Sequence, residues 1–219
     1  PPHKKDIGMM YFLLGLWGGV FGLSLSVLVR LELGSGGVWL GDEVLYNSLV
    51  TMHGVMMVFF FVMPFMMGGF GNWFMPVMLG LGDMALPRMN NLSLQLFGLS
   101  LVMSVLSMVI QGGACGWTMY PPLMLTAYSS SVSVDVMVLS LHVAGLSSIL
   151  GSINFVVTLY QAWVQGSVVQ STSLLVWSEV VAAVLVVLTV PVLAAALTMM
   201  LLDRNVGTSY FDPCGGGSP

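Results

Sequence analysis

Charge is what this chain has least of. Five basic and nine acidic residues make up only 6% of its 219 positions, against about a quarter in soluble domains. A soluble globular domain is excluded on that ground. The net charge of -4 is spread along the loops, with no basic cluster that would engage nucleic acid. Cysteine is nearly absent. Cys115 and Cys214 stand far apart in glycine-rich loops without a CxxC or CxxH pattern, so they read as two unpaired small residues rather than a disulfide or metal pair. Alternating polarity in segments of about ten residues is missing, which excludes a transmembrane barrel. No cleavable leader is expected, since PPHKKD runs straight into a full-length apolar span. The first residue is Pro rather than Met, from which a trimmed or incompletely read amino terminus is expected.

What is abundant is apolar surface. Hydrophobic residues make up 57% of the chain and the mean hydropathy is +0.97. Several runs exceed the roughly 20 residues needed to cross a bilayer. Without a barrel, the backbone can be satisfied in lipid only by helices. The fold class is therefore an all-α integral membrane protein, a single membrane domain over 1–219 without internal repeats. Five helices are expected at about 9–31, 45–75, 92–110, 134–163 and 174–202. The first carries Gly15, Gly18, Gly19, Gly22 and Ser26 on one side. Such a row either packs closely against another helix or leaves a slot for the edge of a cofactor. Pro64 is expected to kink the second helix and the Gly68-Gly69-Phe70-Gly71 run to loosen its last turns. Pro76 and Pro87 are expected to flank the turn that follows, with Asn91 or Ser93 capping the third helix. Asp135 suits the first turn of the fourth helix, and Pro191 is expected to kink the fifth. Lys4, Lys5 and Arg88 fall on one side and Arg30 and Arg204 on the other, which favours an amino terminus inside.

The stretch 46–91 organises the rest. It opens as a long apolar helix with one imidazole, His53, near its start, and closes in a polar segment holding Asn72, Asp83, Arg88, Asn90 and Asn91. An imidazole in a lipid-length helix is costly and needs a partner. On the residues alone, His53 is either a core histidine bonded to a neighbour or the ligand of a large, flat, apolar cofactor lined by Met, Phe and small side chains.

Nine blocks decide between these. HKKDIGMMYFLLG, VRLELGSGG, TMHGVMMVFFFVMP, GGFGNW, GDMALPRMNN, GWTMYPPL, SLHVAGLSSILGSINF, TVPVLAAALTMMLLDRN and YFDPCGGGSP, in this order, resemble the haem–copper respiratory oxidases, specifically the subunit-one family of cytochrome c oxidase. The resemblance covers essentially the whole chain. It implies that the five spans form the first part of a twelve-helix bundle. In the family a sixth helix with a GHPEVY-type motif follows the GGG-x-P tail, and this chain stops at Pro219. The expectation is a split subunit, with helices 6–12 on a separate polypeptide.

Residue by residue, the resemblance implies that His53 is one axial ligand of low-spin haem a, shared with the companion chain. Arg30 would contact the formyl group of that haem and raise its reduction potential. Ser26 would support its edge, Trp117 would donate to a propionate, and Tyr46 would lie nearby. Glu32 and Gly37 resemble part of a calcium or sodium site built from a carboxylate and carbonyls. Asp83 resembles the mouth of a proton channel, on the membrane face opposite His53, with Asn72, Asn90, Ser147, Ser148 and Asn154 lining its water chain. No catalytic residue is expected here, because the high-spin haem and copper B would sit on the companion chain. His142 reads as structural. Glu179 has no place in the family pattern, and either reaches headgroups or meets a neighbouring subunit.

The implied function is part of a cytochrome c oxidase core that reduces oxygen to water and moves protons. The partners implied are a copper-bearing subunit two, subunit three, accessory subunits, cytochrome c and membrane lipids, all in the mitochondrial inner membrane. A quinol oxidase of the same superfamily, or a haem-free structural remnant of the complex, are the rival readings.

Overall fold

The computed structural model describes residues 4–110, 113, 115–167 and 171–218. The opening Pro-Pro-His and parts of the 111–114 and 166–173 loops lie outside the described residues. Five helices long and apolar enough to cross a membrane follow one another: α1 (Lys4–Gly34), α2 (Glu43–Met78), α3 (Pro87–Ile110), α4 (Val132–Val164) and α5 (Leu174–Asn205). Among the described residues there is no strand. The all-helical expectation holds.

α1 and α2 run antiparallel with little room between them. A Cβ on Gly18 would stand 2.6 Å from the Phe60 carbonyl oxygen, and one on Gly15 would stand 3.4 Å from Phe65 Cβ. Close packing is thus what the glycine row of α1 provides. α2 starts as an α-helix capped by Asp42, whose Oδ1 accepts from the Val44 and Leu45 amides. From Met56–Val62 and again over Pro64–Gly71 it widens into π-helix, the Met63 amide reaching back five residues to the Val58 carbonyl. A wide turn accommodates Pro64, which has no N–H to donate and would crowd the preceding turn of an ordinary helix.

α3 and α4 pack most extensively, and hydroxyls run along their whole interface. Ser93, Ser100 and Ser107 recur every seven residues on α3; Ser147, Ser140 and Ser133 answer in reverse on α4. Ser93 Oγ donates to the Ser147 carbonyl at 2.9 Å and Ser147 Oγ returns to the Ser93 carbonyl at 2.6 Å. Ser140 Oγ reaches the Ser100 carbonyl at 2.8 Å, and the Ser107 and Ser133 hydroxyls exchange bonds with each other's carbonyls. Small polar residues let membrane helices approach closely and link them by hydrogen bonds. A seven-residue repeat keeps that seam facing its partner.

Three boundaries depart from expectation. α3 begins at Pro87 rather than beyond Asn91. Proline suits a first helical position, and the Leu86 amide just before it is held by Asn154 Oδ1 at 2.9 Å. Asn90 and Ser93 therefore lie inside the helix, facing its neighbours. Pro76 lies within the last turn of α2 rather than after it. α5 runs on through Asp203-Arg204-Asn205 and past Pro191 as one helix. Arg204 stabilises that end: it pairs with Asp135 at 2.8 Å and donates to the Met124, Ser129 and Ser131 carbonyls. The first-turn acid of α4 thus serves as an ion-pair partner.

Candidate functional site

The candidate side chains lie in two regions at opposite ends of the α1–α2 pair. At the first, His53 stands in the third turn of α2, half-buried, with its Nδ1 2.8 Å from the Gly22 carbonyl oxygen of α1. A carbonyl can only accept, so Nδ1 carries the hydrogen and Nε2 is left with its lone pair. Nε2 makes no hydrogen bond to any described residue. An imidazole that donates from one nitrogen to a backbone carbonyl and presents the other freely has the arrangement of a metal-ligating histidine.

The other residues expected at this end lie on α1, on α2 and in the loop after α3. Ser26 and Arg30 follow Gly22 at four-residue intervals on α1 and lie alongside the start of α2. Arg30 is exposed, without an ion-pair partner among the described residues. Ser26 Oγ donates to the Leu23 carbonyl of its own helix at 2.7 Å, leaving only its acceptor capacity outward. Tyr46 stands two turns before His53 on α2. Trp117 arrives from the loop between α3 and α4, which is fastened to α2 where the Gly116 amide donates to Thr51 Oγ1 at 3.0 Å. The Trp117 ring lies over Gly54, where a Cβ would come within 3.0 Å of it. Glycine beside His53 is what lets the indole so close.

Glu32 and Gly37 share one turn. Glu32 Oε2 accepts from the Trp39 and Leu40 amides at 3.1 and 2.8 Å, while Ser35 Oγ bonds both the Glu32 and Gly37 carbonyls. Among the described residues no group of three or more His, Cys, Asp or Glu side chains gathers as a metal site.

At the other end lies a cavity of about 90 Å³, lined mostly by apolar side chains with a few polar groups among them, and with room for water. Asn72, Asn90, Ser147 and Ser148 all line it. Asn90 Nδ2 donates to Asn72 Oδ1 at 2.8 Å, and Asn72 Nδ2 donates to the Gly68 carbonyl at 2.8 Å. Asn154 does not line it. Its Oδ1 holds the Leu86 amide, and its Nδ2 is buried without a partner. Asp83 stands in the loop outside, partly exposed, with Oδ1 accepting from the Met84 amide. That loop is pinned to α4 by Asn154 and by Thr158 Oγ1, which accepts from the Ala85 amide at 3.1 Å.

Comparison with known proteins gives this arrangement a family. Residues 6–219 match the model of the cytochrome c and quinol oxidase polypeptide I family. The chain belongs to that family. It is 46% identical over 217 residues to a Pecten maximus protein named cytochrome c oxidase subunit 1, covering 98% of this chain and 46% of that protein. A Mytilus edulis protein of the same name is 47% identical over 219 residues, 99% of this chain and 40% of the relative. The chain thus spans less than half the length of the curated relatives it matches. As a family member it is a multi-pass membrane protein.

Among the polar groups of the cavity, Tyr11 and Ser93 were not expected there. Tyr11 hydroxyl lies 2.7 Å from Ser93 Oγ, both buried against the lining serines. The seven-residue recurrence of serines was the available signal for Ser93. A tyrosine among apolar residues near a membrane end offered none for Tyr11. His142 has both ring nitrogens engaged, Nδ1 2.9 Å from the Val138 carbonyl and Nε2 3.1 Å from Thr198 Oγ1. Both cysteines are free, Cys115 buried and Cys214 exposed. Burial pushes the Cys115 thiol up from its ordinary value.

Proposed function

We propose that this chain forms part of the catalytic core of a cytochrome c oxidase, with His53 as one axial ligand of a low-spin haem a. The observation that carries this is the Nδ1 to Gly22 bond, which orients the ring and leaves a neutral Nε2 for iron. The residues present fit the group: an exposed guanidinium at Arg30 and an indole at Trp117 stand at the same end to meet its polar substituents, with Ser26 and Tyr46 beside them. When bound, haem supplies reversible one-electron transfer. The chain's own part is to orient one ligand, to favour the reduced state through the positive charge of Arg30, and to shield the ring with Trp117.

The same reading makes Asp83 the collector of a proton route on the opposite face. Asn72, Asn90, Ser147 and Ser148 hold the water that carries protons onward, and Asn154 keeps the Asp83 loop in place. Hydroxyls and carboxamides can order water without charge. Glu32 and the Gly37 carbonyl would offer oxygen ligands to calcium or sodium.

The second axial ligand, the high-spin haem and copper B would come from further helices of the oxidase core. Mass spectrometry of the purified complex separates a continuous subunit from helices 6–12 on another polypeptide, and also reveals a copper-bearing subunit two, subunit three and accessory subunits. Both relatives are named for cytochrome c oxidase, which favours cytochrome c over a quinol as donor. Residence in the mitochondrial inner membrane is part of the proposal and is read out by fractionation. The decisive experiment is the reduced-minus-oxidised spectrum of the complex with His53→Ala. Loss of the low-spin haem band is expected. An unchanged band would overturn the assignment, and a complex without haem would leave the structural-remnant reading in its place.

A further inference from the structure

One acid inside the membrane has been given no task. Glu179 lies five residues into α5, with its Oε2 buried and without a hydrogen-bond partner. It looks toward Gly71 of α2. A Cβ on Gly71 would stand 2.8 Å from the Phe155 ring and 3.3 Å from Glu179 Oε2. Phe155 lines the cavity, and so does Asn72, the residue next to Gly71. The carboxyl is therefore level with the Asn72–Asn90 bond and separated from the cavity by one aromatic ring and a bare glycine backbone. Its end of α5 is the Asp83 end of the bundle, since Ser173 Oγ, just before α5, lies 3.1 Å from the sulfur of Met78 at the end of α2.

Among the described residues no ion pair reaches Glu179, and its Oε2 has no hydrogen-bond partner. Its own helix contributes Val176, Val180 and Ala183 to an apolar cluster with Met75, Phe155 and Leu159. The titratable groups of α4 are Asp135 and His142, roughly 30 and 20 Å along the helix from Phe155 at 1.5 Å per residue, and Tyr160, which is 66% exposed. Those of α2 are Glu43, Tyr46 and His53, the nearest on the order of 20 Å from Gly71. Asp203 and Arg204 stand at the far end of α5, and Arg204 is taken by Asp135. Asp83, in the loop after α2, is an acid itself. A buried carboxylate without a partner is far costlier than the neutral acid.

We propose that Glu179 is a neutral carboxylic acid inside the membrane that exchanges its proton with the water of the adjoining cavity. Its O–H bond breaks as a cavity water takes the proton, and the carboxylate regains one from solvent on the Asp83 side. Glu179 is then a second proton-holding group for a route otherwise fed by Asp83. This rests on reading the cavity as a proton route.

The test uses the complete oxidase complex in lipid. Infrared difference spectra between its reduced and oxidised states are expected to contain a carboxylic-acid C=O band that disappears in Glu179→Gln. Gly71→Ala keeps the acid but crowds it, and is expected to shift that band. Dicyclohexylcarbodiimide, which attacks protonated carboxyls in apolar surroundings, is expected to label Glu179. Proton uptake in Glu179→Gln should slow several-fold while the KM for the electron donor stays put. A difference spectrum identical in wild type and Glu179→Gln, or uptake unchanged in that variant, overturns the inference. Asn72→Val separates the two levels: if it slows uptake while Glu179→Gln does not, only Glu179 loses its role; if neither slows it, the cavity is no proton route.

Discussion

Gly18→Ala would test whether the packing of α1 on α2 positions His53, the proposed haem ligand. The added methyl would lie 2.6 Å from the Phe60 carbonyl oxygen and 3.2 Å from its carbonyl carbon. Both are backbone atoms and cannot swing aside. Restoring an ordinary contact of 3.4 Å requires the helices to part locally by about 0.8 Å (3.4 − 2.6). The His53 Nδ1 to Gly22 bond lies one turn further along α1 at 2.8 Å. The same separation would stretch it to about 3.6 Å, beyond a hydrogen bond. Overpacking costs about 1–3 kcal/mol and the lost bond about 0.5–1.5 kcal/mol. Gly98 on α3 has open space around it, so Gly98→Ala is the control and should be neutral or stabilising by up to about 1 kcal/mol. Thermal unfolding of the purified complex reads the first effect. A redox titration of the low-spin haem band reads the second, because a ring freed from Gly22 is a weaker and less oriented ligand. A Gly18→Ala complex that melts early with an unshifted potential would refute the link between the glycine row and His53. One that matches Gly98→Ala in both would refute the packing argument altogether.

Three further outcomes are expected. Ser140→Ala, which removes the donor to the Ser100 carbonyl, should destabilise the α3–α4 pair by only about 0.6 kcal/mol, whereas Ser140→Leu should prevent close approach and lower yield in a membrane-expression assay. Asp135→Ala leaves the guanidinium of Arg204, 7% exposed, without its carboxylate; a loss of about 3–5 kcal/mol in unfolding free energy is expected, and a loss under 1 kcal/mol would mean the surrounding carbonyls suffice. Maleimide should modify exposed Cys214 well before Cys115. Because burial raises the Cys115 thiol, the neutral thiol favours the fold at low and neutral pH, and that contribution fades as pH climbs through the raised value. Labelling of Cys115 in the folded complex should therefore rise only at alkaline pH, and equal rates for the two thiols at neutral pH would contradict its burial.

The five spans were legible because hydropathy needs no partner to be read. Their ends were less so, and each miss has a physical cause. Asp203, Arg204 and Asn205 look like the end of a span, yet α5 continues through them because Arg204 finds Asp135 and three carbonyls. Ser93 looks like a cap, yet its hydroxyl is spent on Ser147 of the neighbouring helix. His53 stood out as a lone imidazole in an apolar helix. Its partner did not, since the Gly22 oxygen belongs to the backbone and no residue type announces it.

The relation between the two regions was beyond any helical wheel. His53 and Asn72 both lie on α2, and a regular helix of 3.6 residues per turn would fix the angle between them. Between them stand two π-helical stretches, Met56–Val62 and Pro64–Gly71. Each wide turn takes an extra residue and so rotates everything beyond it relative to everything before. The rotation lets His53 point to Gly22 of α1 while Asn72, past the wide turns, meets Asn90 of α3. Pro64 and the Gly68-Gly69-Phe70-Gly71 run are the marks of this in the sequence, and they read as a kink and a loosened end. The consequence is that the same helix offers an imidazole to one side of the bundle and a carboxamide to the cavity on another, at an angle that the wide turns shift from that of a straight α-helix.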